Sequence, residues 1–171
     1  VSTAIIRGIN SMPVQVEADV SDGMPMFEMV GFLASEVKEA RERVRTALRN
    51  SGYVLPAKRI TINLSPANIK KTGSGFDLPV AVAILAALGI IPGESLSEVL
   101  IAGEIGLNGN VQPIEGILPI VAEAKDHGFT RCIVPFKNRI EAEIIRDLPV
   151  TAVKSIKEVI AFLNGDHAQS C

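Results

Sequence analysis

The sequence predicts an α/β or α+β domain in which helices pack against a mixed β-sheet. Two periodicities alternate along the chain: apolar residues recur at every second position over residues 12–20, and at every third or fourth position over residues 33–48. The dipeptide Asn108-Gly109 between two apolar runs is typical of a β-hairpin. With 171 residues, of which 47% are hydrophobic and 21% charged, the chain has the size and composition of one domain with a buried core.

The first half of the chain predicts three strands. Residues 12–20 alternate apolar with polar side chains, which indicates a strand with one buried face. Asp22-Gly23 supplies a turn before the apolar segment Met26–Val30, so we expect these two strands to form a hairpin. Residues 59–64 are rich in β-branched side chains and predict a third strand, which is followed by a loop over residues 65–75.

Two helices are predicted in the same half. Apolar residues at helical spacing indicate a helix over residues 33–48, and Gly52 is expected beyond its end because glycine tolerates the left-handed backbone found there. A second helix, residues 79–88, is apolar all round, which indicates central burial. Asp77 is its expected N-cap, and Pro79 fits the first turn because the N–H of that position needs no helical partner.

The second half continues the alternation of strands and helices. Asn108-Gly109 joins two short apolar strands, and Ser155 is the expected N-cap of the last helix. The predicted elements are strands at 100–107 and 111–114, a helix at 117–127 closed by Gly128, a strand at Arg131–Pro135, a helix at 139–146, a strand at Val150–Val153 and a helix at 155–163. The predicted sheet is therefore mixed, with helices between its strands.

Composition argues against several classes of protein. The longest nearly uncharged apolar run, residues 78–92, is shorter than the roughly 20 residues of a membrane-spanning helix, so no membrane association is expected. Two cysteines and two histidines at unrelated spacings do not predict a metal site. The absence of a signal-peptide pattern and the low cysteine content favour a reducing compartment, so we expect a cytoplasmic protein.

Charge is unevenly distributed although the net charge is only −2. Residues 33–71 contain nine basic and three acidic side chains, whereas the remainder contains eight basic and sixteen acidic ones. Such an asymmetry is typical of a surface that faces a polyanion, and equally of a surface that meets an acidic face on a neighbouring subunit. The sequence leaves both interpretations open.

Motifs for nucleotide or hydrolytic chemistry are not found in the sequence. No P-loop is present, and the glycine-rich stretch 70–75 has its lysines before the glycines, so a surface loop is favoured over a phosphate site. Neither Ser65 nor Ser74 lies in a GxSxG motif. His127 is expected at a helix end and His167 in a polar tail, which argues against a Ser-His-Asp site.

Three motifs occur in order between residues 37 and 85: a basic helix ending in NSG, then PAKRITINLSPA, then FDLPVA. This combination closely resembles the N-terminal domain of the ComM and YifB group, the magnesium-chelatase-like AAA+ ATPases. The resemblance extends from about residue 3 to residue 165, with GFL at 31–33 where the family usually has GLP. It implies that residues 1–165 form this domain, that residues 166–171 are a polar tail, and that the AAA+ motor lies outside this chain.

A second segment, GEIGLNGNVQPIEGILPIVAEAKDHGFTRCIVPFKN at residues 103–138, is similar to the proteolytic domain of Lon. The resemblance implies a Lon-protease-like fold of the ribosomal-protein β-α-β type. Lon-type peptidases use a serine and a lysine, and laying the motifs side by side puts Asp77 at the serine position and Leu118 at the lysine position. Because neither side chain supports that chemistry, we expect no peptidase activity and interpret Asp77 as a helix cap.

The resemblance implies a non-catalytic accessory domain that contacts DNA or organises a ring during DNA processing in natural transformation, including branch migration. The implied partners are the motor domain of the same protein, further copies of it in a homo-oligomeric ring, and DNA. No cofactor is expected in this domain, whereas ATP and magnesium are expected for the motor. The alternative from another class is a residual peptidase or a nucleotide-dependent enzyme that uses the loop over residues 70–77.

Six basic residues are the candidates for contact with DNA. They are Lys38, Arg41, Arg45 and Arg49 on the predicted helix and Lys70 and Lys71 in the loop. The chain has no Trp and one Tyr, so contact is expected through phosphates rather than through stacked bases. The same stripe could instead meet a neighbouring subunit or remain a solvated helix face, and a pair such as Glu39 with Arg43 would partly neutralise it.

Overall fold

A seven-stranded mixed sheet lies at the centre of the protein in the computed structural model, which describes residues 1–7 and 10–165. The strands are β1 (Ser2–Arg7), β2 (Asn10–Ser21), β3 (Met26–Val30), β4 (Arg59–Ser65), β5 (Val99–Ile101), β6 (Glu104–Ile105), β7 (Val111–Gln112), β8 (Arg131–Pro135) and β9 (Val150–Val153). Within the described residues the large sheet has the order β3-β4-β2-β1-β5-β8-β9. The expected tail, residues 166–171 with His167, lies outside the described residues.

The sheet is mixed because its two halves run differently. β2 pairs antiparallel with β1 in the register Thr3↔Val14 and with β4 in the register Val16↔Leu64, whereas β3 runs parallel to β4. On the other side β5 is parallel to β1, and β8 and β9 continue in the same direction. The predicted α/β class with a mixed sheet is confirmed, and so is the hairpin at Asn108-Gly109, which joins β6 to β7.

The predicted hairpin between residues 12–20 and Met26–Val30 is wrong, because β4 lies between β2 and β3. β4 buries Ile60, Ile62 and Leu64, and it occupies the edge of β2 that a hairpin would have given to β3. β3 therefore becomes an end strand of the sheet, paired only with β4 in the described part of the chain. This position brings β3 next to the basic helix.

Six α-helices in the described residues pack on this sheet. They are α1 (Ser35–Lys38), α2 (Ala40–Asn50), α3 (Asp77–Ala87), α4 (Ile117–Ala124), α5 (Arg139–Glu143) and α6 (Ile156–Leu163). The helix predicted over residues 33–48 is thus two helices divided at Glu39, and Gly52 follows with a φ of 94° as expected. Ser155 caps α6 as predicted, because its hydroxyl accepts the N–H of Glu158.

The core has one part on each face of the sheet. Helices α2, α3 and α6 cover one face, and α3 is buried from Asp77 to Leu85, which confirms its predicted central position. Helices α4 and α5 cover the other face. Adjacent residues of β8, Cys132 and Ile133, belong to different parts, as expected where successive side chains point to opposite faces.

Burial makes Cys132 a poor nucleophile. Its side chain is fully buried, and removal from water raises the pKa of the thiol to about 12. In a Cys171→Ser variant we expect no reaction of the folded protein with Ellman's reagent at pH 8 and stoichiometric reaction after unfolding in urea, because the thiolate is the reactive species. Rapid thiol release from the folded variant would contradict the placement of Cys132 in the core.

Candidate functional site

Helix α2 carries three of the six predicted basic residues on one exposed surface, and Lys38 lies next to it at the end of α1. Arg41, Arg45 and Arg49 follow each other at intervals of four residues and therefore lie on one side of the helix. We call this surface the basic face; it consists of Lys38, Arg41, Arg45 and Arg49, all of which are exposed. The opposite side of α2 is apolar and packs into the core.

The edge strand β3 holds two of these arginines in place. Arg41 donates a hydrogen bond from Nη1 to the carbonyl oxygen of Phe27 at 3.2 Å, and its Nε lies 3.7 Å from a carboxylate oxygen of Glu42. The guanidinium carbon of Arg45 lies 5.5 Å from the centre of the Phe27 ring. Arg41 thus covers a backbone carbonyl of the edge strand, a common protection against pairing with another chain.

A groove of about 320 Å³ runs beside the basic face. Arg45, Arg49 and Lys58 line it together with the apolar side chains of Met26 and Val54. Lys58 lies 3.5 Å from the carboxylate of Asp22, whereas Arg45 and Arg49 form no ion pair within the described residues. The groove therefore combines uncompensated positive charge with an exposed apolar wall.

The predicted role of Lys71 on this surface is wrong. Its side chain is completely buried, and Nζ donates hydrogen bonds to the carbonyl oxygens of Gly31, at 2.6 Å, and of Pro66. Burial lowers the pKa of Lys71 below its ordinary value. Lys70 is exposed, as expected for a surface lysine. The two adjacent lysines have opposite environments because the chain is extended where Lys71 pairs with Leu33, and successive side chains of an extended chain point in opposite directions.

Asp77 does not cap α3, and the prediction of a capping role is wrong. Phe76 occupies the N-cap position, and no side chain caps this helix. Both carboxylate oxygens of Asp77 accept hydrogen bonds from Arg43, from Nε and Nη2 at 2.9 Å each, and Oδ2 also accepts the N–H of Ile105 at 3.0 Å. Asp77 is thus the acidic partner of a two-point ion pair that joins α3 to α2 and β6.

Burial dominates the electrostatics of this pair. Removal from water raises the pKa of the Asp77 carboxyl above 3.8, while the hydrogen bonds from Arg43 and Ile105 act in the opposite direction. The hydrogen bond to Asp77 raises the pKa of Arg43. The sequence prediction did not identify this role of Arg43; the available signal was an arginine that lies next to the buried Val44 and three residues after the buried Ala40. The predicted pair of Glu39 with Arg43 is present at 3.7 Å.

A second cavity, of about 720 Å³, lies between β1, the loop at residues 72–76 and the segment at residues 113–116. Ser74 and Glu104 lie in its wall, and the Ser74 hydroxyl donates a 2.8 Å hydrogen bond to the Glu104 carboxylate. A hydroxyl beside a carboxylate base is one part of a nucleophilic site, which would also need groups that stabilise an oxyanion. This cavity is where the alternative enzyme hypothesis for loop 70–77 would apply.

The two positions that correspond to the Lon-type dyad by resemblance have other environments. Asp77 is fully buried in its ion pair with Arg43, and Leu118 is 37% exposed in the first turn of α4. Neither residue lines the 720 Å³ cavity. Asp77 therefore has a structural role in the ion pair that joins α3 to α2.

The last two features of the site concern membranes and metal ions. Within residues 1–7 and 10–165, no helix combines the length and the apolar character required to cross a membrane. In the same residues no group of three or more His, Cys, Asp or Glu side chains is placed to hold a metal ion.

Comparison with known proteins decides the family. A family model described as subunit ChlI of Mg-chelatase matches residues 16–138. The chain belongs to this family. It is 40% identical to YifB of Escherichia coli (strain K12) over 168 residues, which cover 98% of this chain and 33% of YifB. It is 36% identical to competence protein ComM of Haemophilus influenzae over 171 residues, which cover 97% of this chain and 33% of ComM.

The predicted membership of the magnesium-chelatase-like ComM and YifB group is therefore confirmed. The chain spans about a third of the length of these two relatives. It is also 34% identical to Lon protease 2 of Bacillus subtilis over 127 residues, which cover 74% of this chain and 22% of that protease. This similarity confirms the Lon-like fold predicted for this member of the magnesium-chelatase family.

We predict that Lys71→Met destabilises the protein by about 2 kcal/mol, because the carbonyl oxygens of Gly31 and Pro66 lose the donor that the buried Lys71 side chain supplies. Lys70→Met removes the same charge from the neighbouring exposed position and is expected to change the free energy of unfolding by less than about 0.5 kcal/mol. Urea denaturation of both variants measures the difference. Equal effects would contradict the buried position of Lys71.

Replacement of Arg43 by alanine leaves the Asp77 carboxylate buried without its cation. We expect a loss of about 3 kcal/mol in the free energy of unfolding at pH 7. Burial then raises the pKa of Asp77 without opposition from Arg43, so the folded variant binds a proton more tightly than the unfolded chain. The stability of Arg43→Ala should therefore fall as pH rises above about 4.

Urea denaturation at pH 4.5 and pH 7 tests this pH dependence. Arg49→Ala is the matched control, because it removes an exposed arginine from the same helix and should change stability by less than about 0.5 kcal/mol at either pH. An Arg43→Ala variant that is as stable as this control, or that becomes more stable toward pH 7, would show that the ion pair does not hold α2.

Proposed function

We propose that this domain is the non-catalytic N-terminal accessory domain of a ComM/YifB-type magnesium-chelatase-like AAA+ ATPase, and that its basic face contacts DNA phosphates. One observation carries the proposal: Lys38, Arg45 and Arg49 are exposed on one surface and form no ion pair within the described residues. Uncompensated, aligned cations are the electrostatic footprint of binding to a polyanion. The membership of the chain in the family of a competence protein supports DNA as that polyanion.

The contact is non-specific with respect to base sequence. Arginine and lysine side chains on a helix surface reach phosphate oxygens, and phosphate contacts position a protein without reading bases. The release of counterions from DNA drives such binding, so affinity falls with salt by about one power of concentration for each phosphate neutralised. Arg41 contributes less than its neighbours, since it is engaged with the carbonyl of Phe27 and with Glu42.

The catalytic step of the full-length protein belongs to the motor, outside this chain. In this proposal the motor binds ATP and magnesium and assembles into a ring, while the accessory domain holds DNA during processing in natural transformation, including branch migration. The environments of Asp77 and Leu118 support the non-catalytic part of the proposal, because a buried ion pair and an aliphatic side chain do not supply a Ser-Lys dyad.

A second candidate function, contact between subunits of the ring, is favoured by a different observation. The groove beside the basic face has an apolar wall in which Val54 is 76% exposed and Met26 is 39% exposed. Apolar side chains next to Arg45 and Arg49 suit a protein surface that offers acidic and apolar groups. Phosphate binding makes no use of the exposed Val54 side chain, so this residue separates the two candidates.

Replacement of Lys38, Arg45 and Arg49 by glutamine removes three charges with little loss of side-chain volume. We expect the unaltered chain to bind fluorescein-labelled single-stranded and branched DNA at about 50 mM salt. If three phosphates are neutralised, binding at about 200 mM salt should be about 20-fold weaker for single-stranded DNA and about 40-fold weaker for the duplex arms of branched DNA. The triple variant should lose the salt-sensitive part of this binding. Fluorescence anisotropy measures both quantities.

A matched control removes three exposed basic residues elsewhere, with glutamine in place of Lys125, Arg146 and Lys157. This control should bind DNA as the unaltered chain does. If it loses as much affinity as the basic-face variant, or if the unaltered chain does not bind at about 50 mM salt, the proposed DNA contact is wrong. A Val54→Asp substitution that abolishes oligomers of the full-length protein would then favour the subunit interface.

A further inference from the structure

A third cavity lies at the carboxyl ends of two parallel strands, on the side of the sheet away from β3. Phe136 and Lys137 follow directly after β8, and Lys154 follows directly after β9. Together with Gln112 of β7 and its neighbour Asn110, these residues line a cavity of about 340 Å³. In open α/β sheets the loops that follow the carboxyl ends of parallel strands are a common place for ligands.

Positive charge is concentrated around one aromatic ring at this cavity. The Nζ atom of Lys154 lies 4.4 Å from the centre of the Phe136 ring, and the guanidinium carbon of Arg139 lies 4.8 Å from the same centre. The electrons of the ring face attract both cations and hold them at defined positions. An aromatic ring attracts cations without neutralising their charge, so the cavity keeps its affinity for anions.

Carboxylates also lie near this charge: Glu158 accepts the backbone N–H of Lys154, and Glu141 accepts a hydrogen bond from the Asn138 amide at 3.3 Å. Arg139 lies 3.8 Å from a carboxylate oxygen of Glu143, on the same helix. Lys137 and Lys154 form no ion pair in the part of the chain that the structure describes. Both lysines are exposed, and both contribute to the lining of the cavity. Two lysines that line one cavity, and whose ammonium groups form no ion pair within the described residues, can donate to an anion with several oxygens.

The walls of the cavity are fixed relative to each other. Asn138 is buried, and its side chain accepts the N–H of Ile114 at 2.9 Å and donates to the carbonyl of the same residue at 3.0 Å. The N–H of Val111 donates to the carbonyl of Lys154 at 2.8 Å. These bonds connect the segments after β7, β8 and β9, so a ligand would not have to order them on binding.

We propose that this cavity binds a phosphate group, with Lys137 and Lys154 donating to its oxygens and the Gln112 amide available to an adjoining polar group. The ligand class is a phosphate ester, supplied by a free nucleotide or by the backbone of a nucleic acid. The site is distinct from the basic face, because β9 and β3 lie at opposite edges of the sheet. The proposal therefore does not depend on DNA contact by α2.

The test follows backbone amide signals of the isotope-labelled 171-residue chain by NMR during titration with AMP, and separately with a 12-nucleotide single-stranded DNA, at about 50 mM salt. We expect AMP to shift the signals of Gln112, Lys137 and Lys154. A variant with glutamine at both lysines should lose about 100-fold in affinity, about tenfold for each of the two charge-assisted hydrogen bonds. A variant with glutamine in place of Lys125 and Lys157 has the same net charge and should bind AMP as the unaltered chain does.

The two arms distinguish the sources of the phosphate. Localised binding of AMP, with DNA affinity unchanged in the Lys137 and Lys154 variant, identifies a nucleotide site. A loss of affinity for both probes identifies a site for nucleic acid backbone. Equal loss in the control variant, or AMP shifts that cluster on the basic face, would overturn the phosphate site. The variant with glutamine at Lys38, Arg45 and Arg49 should still bind AMP. The AMP titration therefore tests the cavity whether or not the basic face contacts DNA.

Discussion

The ion pair between Arg43 and the fully buried Asp77 ties helix α2, which carries the candidate functional surface, to α3 and β6. Arg43 holds the first turn of α3 through two hydrogen bonds of 2.9 Å, and the same carboxylate accepts the N–H of Ile105 in β6. One residue pair thus sets the position of three elements. Since Arg45 and Arg49 lie on the same helix as Arg43, the ion pair and the core packing of α2 together set which way the basic face is presented.

Elements with local signals were predictable, whereas pairings between distant segments were not. β9 and the N-cap Ser155 follow from the side chains of a few adjacent residues, and the structure confirms both. β3 was predicted as a strand but placed beside the wrong neighbour, because the order of strands depends on β4, which lies about thirty residues further along the chain. β1 gives little periodic signal, since its buried residues are consecutive rather than alternating.

In the candidate site, too, the sequence does not predict which distant groups a single side chain contacts. Lys70 and Lys71 are identical in type and adjacent in sequence, yet one is exposed and the other is enclosed by carbonyls of Gly31 and Pro66. Only the fold brings these carbonyls to Lys71. Composition and spacing therefore predict that the segment is basic, but they do not predict which of its two lysines faces the solvent. Asp77 is a similar case. An aspartate suits both a helix cap and an ion pair with arginine, so the residue type alone does not distinguish the two roles.

Orientation on a polyanion follows from the distribution of charge rather than from its total. The chain carries a net charge of −2, so long-range attraction to DNA by the whole domain is absent, and sixteen of its nineteen acidic residues lie outside the segment 33–71. The positive balance of residues 33–71 favours a phosphate backbone at the basic face, whereas the negative balance of the remainder disfavours it there except at local clusters of basic side chains. The same charge imbalance would orient an acidic neighbouring subunit in the same way. Charge therefore does not distinguish DNA from a neighbouring subunit, whereas the exposed apolar side chain of Val54 does.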